Sequence, residues 1–421
     1  MEGRLKDKYA IVGVGETEYS RASGRSTRAL GVEAIRNAIY DAGLTPQDVD
    51  GMLSYHGGDS TPSTTMMYDL GMRLNFYMDC SGGGSSTEAL IGLAIGSIEA
   101  GMCDTVAIFR AMNGYSQVRI GGTGARAAAP IGGSDLLRRT YGVASAVQSF
   151  AFTFTRHMME YGVTGEDLAN IKVTHSNHAS NNPKALMKQR VTVDDVVNSR
   201  WIVKPCAHLL DCCLETDNAT CIIVTSAERA KDLQHPPAYI MAVQGRGVKP
   251  GGDFHYHIAV WRSNISELDS EYKGYFDGAM EHKLVVKKCG AEGCGLLRGE
   301  PGAACPWCAS LDWEWQEVSG KGTIYSYQVI MHAIMPAFRD WVPYTVVLVE
   351  LDEQSGEPNP GNGLRITANL LNDSMVPEDP ENVGIGKRVE VVFLDTEDGF
   401  SVPHFKLSDE APRGEVWRYP V

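Results

Sequence analysis

The 421-residue chain lacks several features that would assign it to particular environments. Basic residues are too few for broad contact with a nucleic-acid backbone, because 38 Lys and Arg stand against 52 Asp and Glu, giving a formal net charge of −14. No hydrophobic run approaches the length of a membrane span, and the opening MEGRLKDKYAIVGVG contains no apolar signal core. We therefore expect a protein that binds neither nucleic acid nor membrane.

Low-complexity tracts are also absent, and 43% of the residues are hydrophobic. A chain of this length exceeds a typical single domain, so two or three folding units are expected. Six of the ten cysteines are scattered through residues 1–280, and the other four crowd into 289–308. Scattered cysteines beside a tight cluster suit a reducing cytoplasm better than a disulfide framework, so we expect a cytoplasmic location.

The first 255 residues alternate short apolar strands with amphipathic helices. We predict strands at 8–15, 49–57, 103–109 and 238–247, helices near 26–43 and 85–100, and a buried strand that runs into a helix over 219–233. Such alternation is typical of an α/β unit with a mainly parallel sheet and helices on both faces. Between about 115 and 200 the pattern becomes irregular, which predicts a long loop excursion from the sheet.

The remainder of the chain changes character at a boundary predicted near 255–265. Residues 256–285 are predicted to be a helical linker, and 286–316 a ribbon that contains the cysteine cluster. Four later stretches, separated by Gly and Pro, alternate as β-strands do: GKGTIYSYQVI, PYTVVLVELDE, GLRITANLL and KRVEVVFLD. This pattern predicts a small antiparallel β-barrel with a tail over 317–421.

The cysteine cluster is the strongest chemical signal in the sequence. Cys289, Cys294, Cys305 and Cys308 have the spacing C-x4-C-x10-C-x2-C. Four thiolates can surround Zn²⁺ tetrahedrally, and the two close pairs resemble the knuckles of a zinc ribbon. Two disulfides or four unrelated cysteines are the alternatives. Because all four ligand positions are thiolates, the predicted zinc is structural and not catalytic.

A resemblance to a known family begins at this ribbon. The ribbon followed by EWQEVSGKGTIYSYQVI and PYTVVLVELDE resembles the zinc-ribbon and OB-fold accessory proteins of thiolase-like enzymes, over about 265–410. The resemblance implies that ribbon and barrel help to bind an acyl-CoA and shape the partner enzyme's entrance channel. OB folds also bind oligonucleotides, but the barrel has no evident aromatic and basic stripe of the kind that single-strand binders use.

Residues 8–250 resemble the N-terminal half of a thiolase, closest to the lipid-transfer-protein and sterol carrier protein branch. AGLTPQDVDGM, SIEAGMCDTVAIF, HSNHASNNPKA and LLDCCLETDNATCIIVTSAERA have counterparts there in the same order. After this half the chain goes almost directly to the ribbon, without the second half that carries the catalytic His and second Cys of thiolases. The resemblance therefore implies either a partner subunit that supplies this half or a shortened fusion without autonomous activity.

The thiolase resemblance also bears on Cys80, just before a glycine-rich turn. In thiolases the nucleophilic Cys begins the next helix. Counting back the family's spacing from Gly101, which ends that helix here, reaches Gly84, so Cys80 lies about one helical turn too early. We therefore predict that Cys80 lines the pocket and is not the nucleophile. Backbone N–H groups of the turn can hold a thioester or enolate oxygen, which makes Gly83, Gly84 and Ser85 further candidate pocket residues.

This turn resembles the thiolase-fold aldolases of steroid side-chain degradation, which lack the cysteine and work with a zinc-ribbon and OB-fold partner. The implied reaction is retro-aldol cleavage of a β-hydroxyacyl-CoA, with the coenzyme A thioester as substrate. Claisen cleavage of the thiolase or acetyltransferase type and a non-catalytic acyl-CoA-binding scaffold remain alternatives. We expect a homo-oligomer with a thiolase-like or hydratase partner subunit. The catalytic base is open; His178 is the candidate, and His175, His255 and His257 are weaker ones.

Overall fold

The computed structural model describes residues 5–80, 86–117, 138–243, 270–299, 302–358, 363–396 and 399–419. The predicted pocket residues Gly83, Gly84 and Ser85 lie outside these ranges, as do His255 and His257. Residues 256–269 of the predicted linker lie outside them as well. Among the described residues, no helix combines the length and the apolar character needed to cross a membrane.

A mixed sheet forms the centre of the first part of the chain. Its strands are β1 (Tyr9–Glu16), β2 (Gly51–Tyr55), β3 (Phe76–Cys80), β4 (Thr105–Asn113), β7 (Asp217–Ser226) and β8 (Ala238–Tyr239). They lie in the order β3-β2-β4-β7-β1-β8. β2 is parallel to both of its neighbours, whereas β7 is antiparallel to β4 and β1, and β8 is antiparallel to β1. Four of these six strands therefore run in one direction.

Helices cover both faces of this sheet. They are α1 (Thr27–Asp41), α2 (Ser63–Asp69), α3 (Ser86–Glu99) and the short α7 (Ala227–Ala230), which follows β7. On one face, α1 and α2 pack over Met52 and Phe109; on the other, α3 packs over Leu53 and Ile108. Ser26 caps α1, because its hydroxyl accepts the backbone N–H of Ala29 at 3.1 Å.

Between β4 and β7 the chain leaves the sheet, as predicted, but the excursion is more regular than the sequence indicated. Its described part contains α4 (Ala146–Tyr161), α5 (Gly165–Asn181), α6 (Val193–Val197), β5 (Trp201–Lys204) and β6 (Ala207–His208). Each of the three helices begins with a capping box: Ser145 with Gln148, Thr164 with Asp167, and Thr192 with Asp195. These reciprocal hydrogen bonds satisfy the first backbone N–H groups and fix the residue at which each helix begins.

The C-terminal part consists of a helix, a small three-stranded sheet and a barrel. The helix is α8 (Ser270–Met280), and the small sheet contains β9 (Val285–Cys289), β10 (Leu297–Arg298) and β11 (Trp313–Glu317). The barrel strands are β12 (Lys321–Ile330), β13 (Tyr344–Leu351), β14 (Arg365–Asn369), β15 (Arg388–Asp395) and β16 (Ser401–Leu407). They pair antiparallel in the order β14-β13-β12-β15-β16, and a bridge between Leu370 and Phe405 links the two outer strands.

The excursion packs on this barrel and shares its core. β5 adds to the barrel sheet, with Val203 opposite Ile330 on β12. Phe152 of α4 is buried in the barrel's hydrophobic cluster, and its carbonyl accepts the Ser326 hydroxyl at 2.7 Å. The excursion therefore joins the two parts of the chain, because it leaves the first sheet and completes the core of the second.

Candidate functional site

Three side chains form a row across β2, β3 and β4, at the level where β2 and β3 end. Tyr55 pairs with Cys80 across β2 and β3, and the Ser54–Phe109 pair places Arg110 beside Tyr55 on the other side. Tyr55 and Cys80 pack against the cluster on the α3 face. Because side chains alternate along a strand, Arg110 lies on the same face as Ile108 of that cluster.

Cys80 is the last residue of β3 and lies six positions before Ser86, where α3 begins. Its side chain is half-buried. Burial, and then the charge of Asp79, raise the pKa of the Cys80 thiol above its ordinary value. A thiol in this position therefore stays protonated at neutral pH, unlike one activated at a helix N-terminus. The geometry supports a pocket-lining Cys80, and its role stays a prediction.

The neighbouring Asp79 anchors the segment that connects β2 to α2. Its carboxylate accepts hydrogen bonds from the hydroxyls of Ser54 at 2.7 Å and Ser63 at 2.6 Å, and from the backbone N–H of Ser63. Ser63 is the first residue of α2, so Asp79 also compensates the positive end of that helix. This anchor fixes residues 56–62 against the end of β3.

Asp59, within this segment, forms a buried ion pair with Arg110 of β4. The sequence analysis did not identify this pair. The Arg110 Nη2 and Asp59 Oδ2 atoms lie 2.5 Å apart, and the two side chains are 13% and 9% exposed. The guanidinium lies 4.8 Å from the centre of the Tyr55 ring. Burial raises the pKa of Asp59, but the hydrogen bond and charge of Arg110 lower it by more, so the net pKa is below its ordinary value. Asp59 is therefore a carboxylate at neutral pH. The available sequence signal was one arginine inside the apolar strand VAIFRAMN.

The predicted base candidates His175 and His178 lie in the excursion. Both are on α5, where their side chains are exposed. α5 packs against α6, whereas Cys80 belongs to the sheet. The structure therefore places His178 on a different element from the row of Cys80, Tyr55 and Arg110. Its catalytic role stays a prediction.

The four clustered cysteines come together as the spacing predicted. Their Sγ atoms all lie within 4.8 Å of one another, with Cys289 and Cys308 3.6 Å apart and Cys294 and Cys305 3.8 Å apart. A tetrahedral zinc with Zn–S bonds of about 2.3 Å requires sulfurs about 3.8 Å apart. A disulfide requires about 2.0 Å, and all four cysteines are free. The cluster could therefore hold a metal ion.

The local backbone favours a thiolate at this cluster. Burial raises the pKa of Cys305, but the backbone N–H groups of Cys308 and Trp307 lower it more, to about 7. These N–H groups belong to the turn CPWC, which wraps around the sulfur. A metal ion needs deprotonated sulfur ligands, and the N–H groups of this turn favour the deprotonated form of Cys305.

Fold and site together define a class of protein: a thiolase-like α/β half joined through a cysteine ribbon to an OB-fold barrel. Residues 315–394 match the family model described as ChsH2, C-terminal OB-fold domain. The structure resembles that of a monomeric SCP2-thiolase like protein type 1 from Mycobacterium smegmatis, with a TM-score of 0.60, 16% identity, and coverage of 96% of this chain and 99% of that one. At this identity the likeness shows the fold alone.

Closer relatives identify the family. The chain is 39% identical over 266 residues to a steroid side-chain-cleaving aldolase of Thermomonospora curvata, covering 62% of this chain and 66% of the relative. It is 35% identical over 268 residues to the 17-hydroxy-3-oxo-4-pregnene-20-carboxyl-CoA lyase of Mycobacterium tuberculosis, covering 63% and 68%. The chain belongs to this family of thiolase-like steroid side-chain aldolases, and it spans about two thirds of the length of these two relatives.

A solved aldolase structure adds a further comparison. The Ltp2-ChsH2(DUF35) aldolase is similar with a TM-score of 0.51 and 37% identity, over 57% of this chain and 61% of that chain. The name of that aldolase joins Ltp2 with ChsH2, and the family model that matches the barrel is also named for ChsH2. Both expected parts, the thiolase-like half and the OB-fold barrel, are thus confirmed in one chain.

Proposed function

We propose that the chain is a component of an acyl-CoA carbon–carbon lyase that cleaves a β-hydroxyacyl-CoA of the steroid side-chain type by a retro-aldol reaction. The position of Cys80 carries the proposal: it lies within β3, its pKa is raised, and it precedes α3 by six residues. A thiolase mechanism needs an activated thiolate at that helix. The membership in the aldolase family supports the same reaction.

Retro-aldol cleavage makes modest demands on the protein. A base takes the proton of the β-hydroxyl, the electron pair of the carbon–carbon bond moves towards the thioester as an enolate, and a carbonyl product departs. The enolate then takes a proton at its α-carbon. Donors directed at the thioester oxygen stabilise the charge that develops there. Gly83, Gly84 and Ser85 remain the predicted backbone donors, and the base stays unassigned.

We further propose that the metal at Cys289, Cys294, Cys305 and Cys308 is Zn²⁺ with a structural role. The sulfur separations of 3.6 and 3.8 Å suit its tetrahedral geometry, and four sulfur ligands leave no position for substrate. The ion would stabilise the predicted ribbon at 286–316. In the proposed domain order, a thiolase-like domain at 1–255 and a linker at 256–285 precede the ribbon, and the barrel at 317–421 follows it. A reducing cytoplasm would keep these thiols available.

The proposed enzyme works as an oligomer with a thiolase-like or hydratase partner subunit. The similar Ltp2-ChsH2(DUF35) aldolase, whose name joins two proteins, supports a partner. Large apolar side chains on the outer surface also support one: Tyr77 and Met78 on the edge strand β3 are 51% and 42% exposed. Native mass spectrometry of the chain purified from its own cells would measure the stoichiometry. A fully active monomer would contradict this part of the proposal.

The reaction is tested with this natively purified protein and a β-hydroxyacyl-CoA carrying a steroid ring. We expect release of a ketone and a shorter acyl-CoA in equal amounts, without any requirement for free coenzyme A. Cleavage of a β-ketoacyl-CoA that depends on free coenzyme A would replace the proposal with thiolase chemistry. Tight binding of the thioester without cleavage would indicate a scaffold.

A further inference from the structure

The ion pair between Arg110 and Asp59 lies at a location suited to a ligand. β2, β3 and β4 are parallel; Tyr55 and Cys80 are the last residues of β2 and β3, and Arg110 lies beside them on β4, which continues to Asn113. In α/β sheets, ligands bind in the crevice outside the carboxyl ends of the strands. The pair is also the charged part of this row, since Tyr55 and Cys80 are packed against the apolar cluster beneath α3.

Fold stability does not account for this pair. Replacing a buried ion pair with well-packed apolar residues is often neutral or stabilising, because two charges must be removed from water. Ile108, which lies on the same face of β4 as Arg110, is buried in an apolar cluster. An apolar side chain on β4 would therefore suit its strand neighbours better than a guanidinium.

Two polar atoms beside the pair are buried and have no partner among the described residues. One is the Nε–H donor of Arg110, and the other is the hydroxyl of Ser60, which follows Asp59. Leaving a buried donor unsatisfied costs about 1–3 kcal/mol, so native structures usually avoid it. An acceptor oxygen of a bound ligand would satisfy the Arg110 donor.

We propose that Arg110, held in place by Asp59, binds the carbonyl oxygen of the acyl-CoA thioester. This inference rests on the proposed function and adds a residue to it. When the carbon–carbon bond of the β-hydroxyacyl-CoA breaks, its electron pair forms the enolate, whose negative charge is shared with that oxygen. A guanidinium beside the oxygen interacts more strongly with the enolate than with the neutral thioester. Asp59 acts through Arg110 and is a positioning residue.

Paired coenzyme A probes test the inference. Isothermal titration calorimetry measures the binding of acetyl-CoA and of S-ethyl-coenzyme A, a thioether without the carbonyl oxygen, to the full chain. We expect R110M to weaken acetyl-CoA binding about tenfold or more, the size of one hydrogen bond to a charged group, and to leave thioether binding unchanged. R110K, which keeps the charge, should retain part of the preference for the thioester.

Arg365→Met is the matched control. Arg365 also pairs with a carboxylate, Glu350, and lies over a tyrosine ring, and the two charged side chains are 13% and 16% exposed. It lies on β14 of the barrel, so its loss should not alter the discrimination between the probes. If R110M does not fold, the double variant with Asp59→Asn replaces it, because no unpaired buried charge then remains.

The titration tests both the role of Arg110 in carbonyl binding and the proposed acyl-CoA function. Equal weakening of both probes by R110M, or no weakening of either, would overturn the role of Arg110 in carbonyl binding. A wild-type chain that binds neither probe would instead overturn the proposed acyl-CoA function, and the inference with it. Weaker binding of acetyl-CoA by R110M, with unchanged binding of S-ethyl-coenzyme A, supports both the inference and the proposed function.

Discussion

Phe152→Ala tests whether the excursion and the barrel form one folding unit. Phe152 lies on α4, in the segment that leaves the first sheet, yet its side chain is 1% exposed within the hydrophobic cluster of the barrel. Its carbonyl also accepts the hydroxyl of Ser326, a residue 174 positions away. We expect the substitution to destabilise the barrel although it lies outside the barrel sequence.

The size of the effect follows from burial. Phe→Ala in a packed core typically costs about 3–5 kcal/mol, because the transfer energy of the ring is lost and a cavity remains. Phe150, two residues earlier on the same helix, is 45% exposed. Phe150→Ala keeps the same helix and the same chemistry of substitution, so it is a matched control with an expected cost of about 1 kcal/mol or less.

Urea unfolding of the full chain, followed by tryptophan fluorescence, provides the measurement. Five of the seven tryptophans lie beyond residue 300, so the signal reports mainly on the ribbon and barrel. Phe152→Ala should shift the barrel transition to lower urea by an amount equivalent to about 3–5 kcal/mol. A barrel transition that is unchanged in Phe152→Ala would refute the shared core, as would an equal shift in Phe150→Ala.

Three further predictions concern the metal, the thiol and a buried carboxylate. Metal analysis should find one zinc per chain, and Cys305→Ser should lower both the zinc content and the thermal stability of the ribbon; a chain without zinc that is equally stable would contradict this. Cys80→Ala should retain cleavage within about threefold of wild type in a product-release assay, whereas loss of turnover in a folded variant would favour thiolase chemistry. Asp217, fully buried, accepts hydrogen bonds from Ser23 and Ser116; burial raises its pKa, but these bonds lower it below the unfolded value. The stabilisation by Asp217 is therefore present above the unfolded pKa near 4 and is lost as pH falls through the folded pKa. The free energy of unfolding should accordingly fall less between pH 6 and pH 3 in Asp217→Asn than in wild type. Parallel pH profiles of the two proteins would show that this carboxylate contributes nothing.

Local patterns predicted the elements whose signals are contained within a few residues. The helix α1 follows from a capping hydroxyl at Ser26 or Thr27, of which the structure uses Ser26, and from an apolar face whose members Leu30, Ala34, Ile35 and Ala38 are all buried. The cysteine cluster follows from the spacing of Cys289, Cys294, Cys305 and Cys308, because two close pairs place four thiols on adjacent turns. In both cases the interacting groups are near one another in sequence or share a recognisable motif.

Contacts between distant residues were not predictable in this way. Arg110 and Asp59 are 51 positions apart, and only the parallel register of β2 and β4 places them at the same sheet edge. The packing of α4 on the barrel depends on Phe152 meeting a strand more than 170 residues later. Neither contact corresponds to a local sequence pattern. The helices of the excursion did have a local signal, their capping boxes, but a search for hydrophobic periodicity alone does not detect it.

The absence of a covalent acyl-enzyme is the central claim, and intact-protein mass spectrometry tests it most directly. The natively purified protein is mixed with its β-hydroxyacyl-CoA substrate, quenched in acid during turnover, and weighed. Retro-aldol cleavage with a protonated Cys80 predicts the unmodified mass of the chain at every time point while products accumulate. A mass increase equal to the acyl group, mapped to Cys80, would contradict the account.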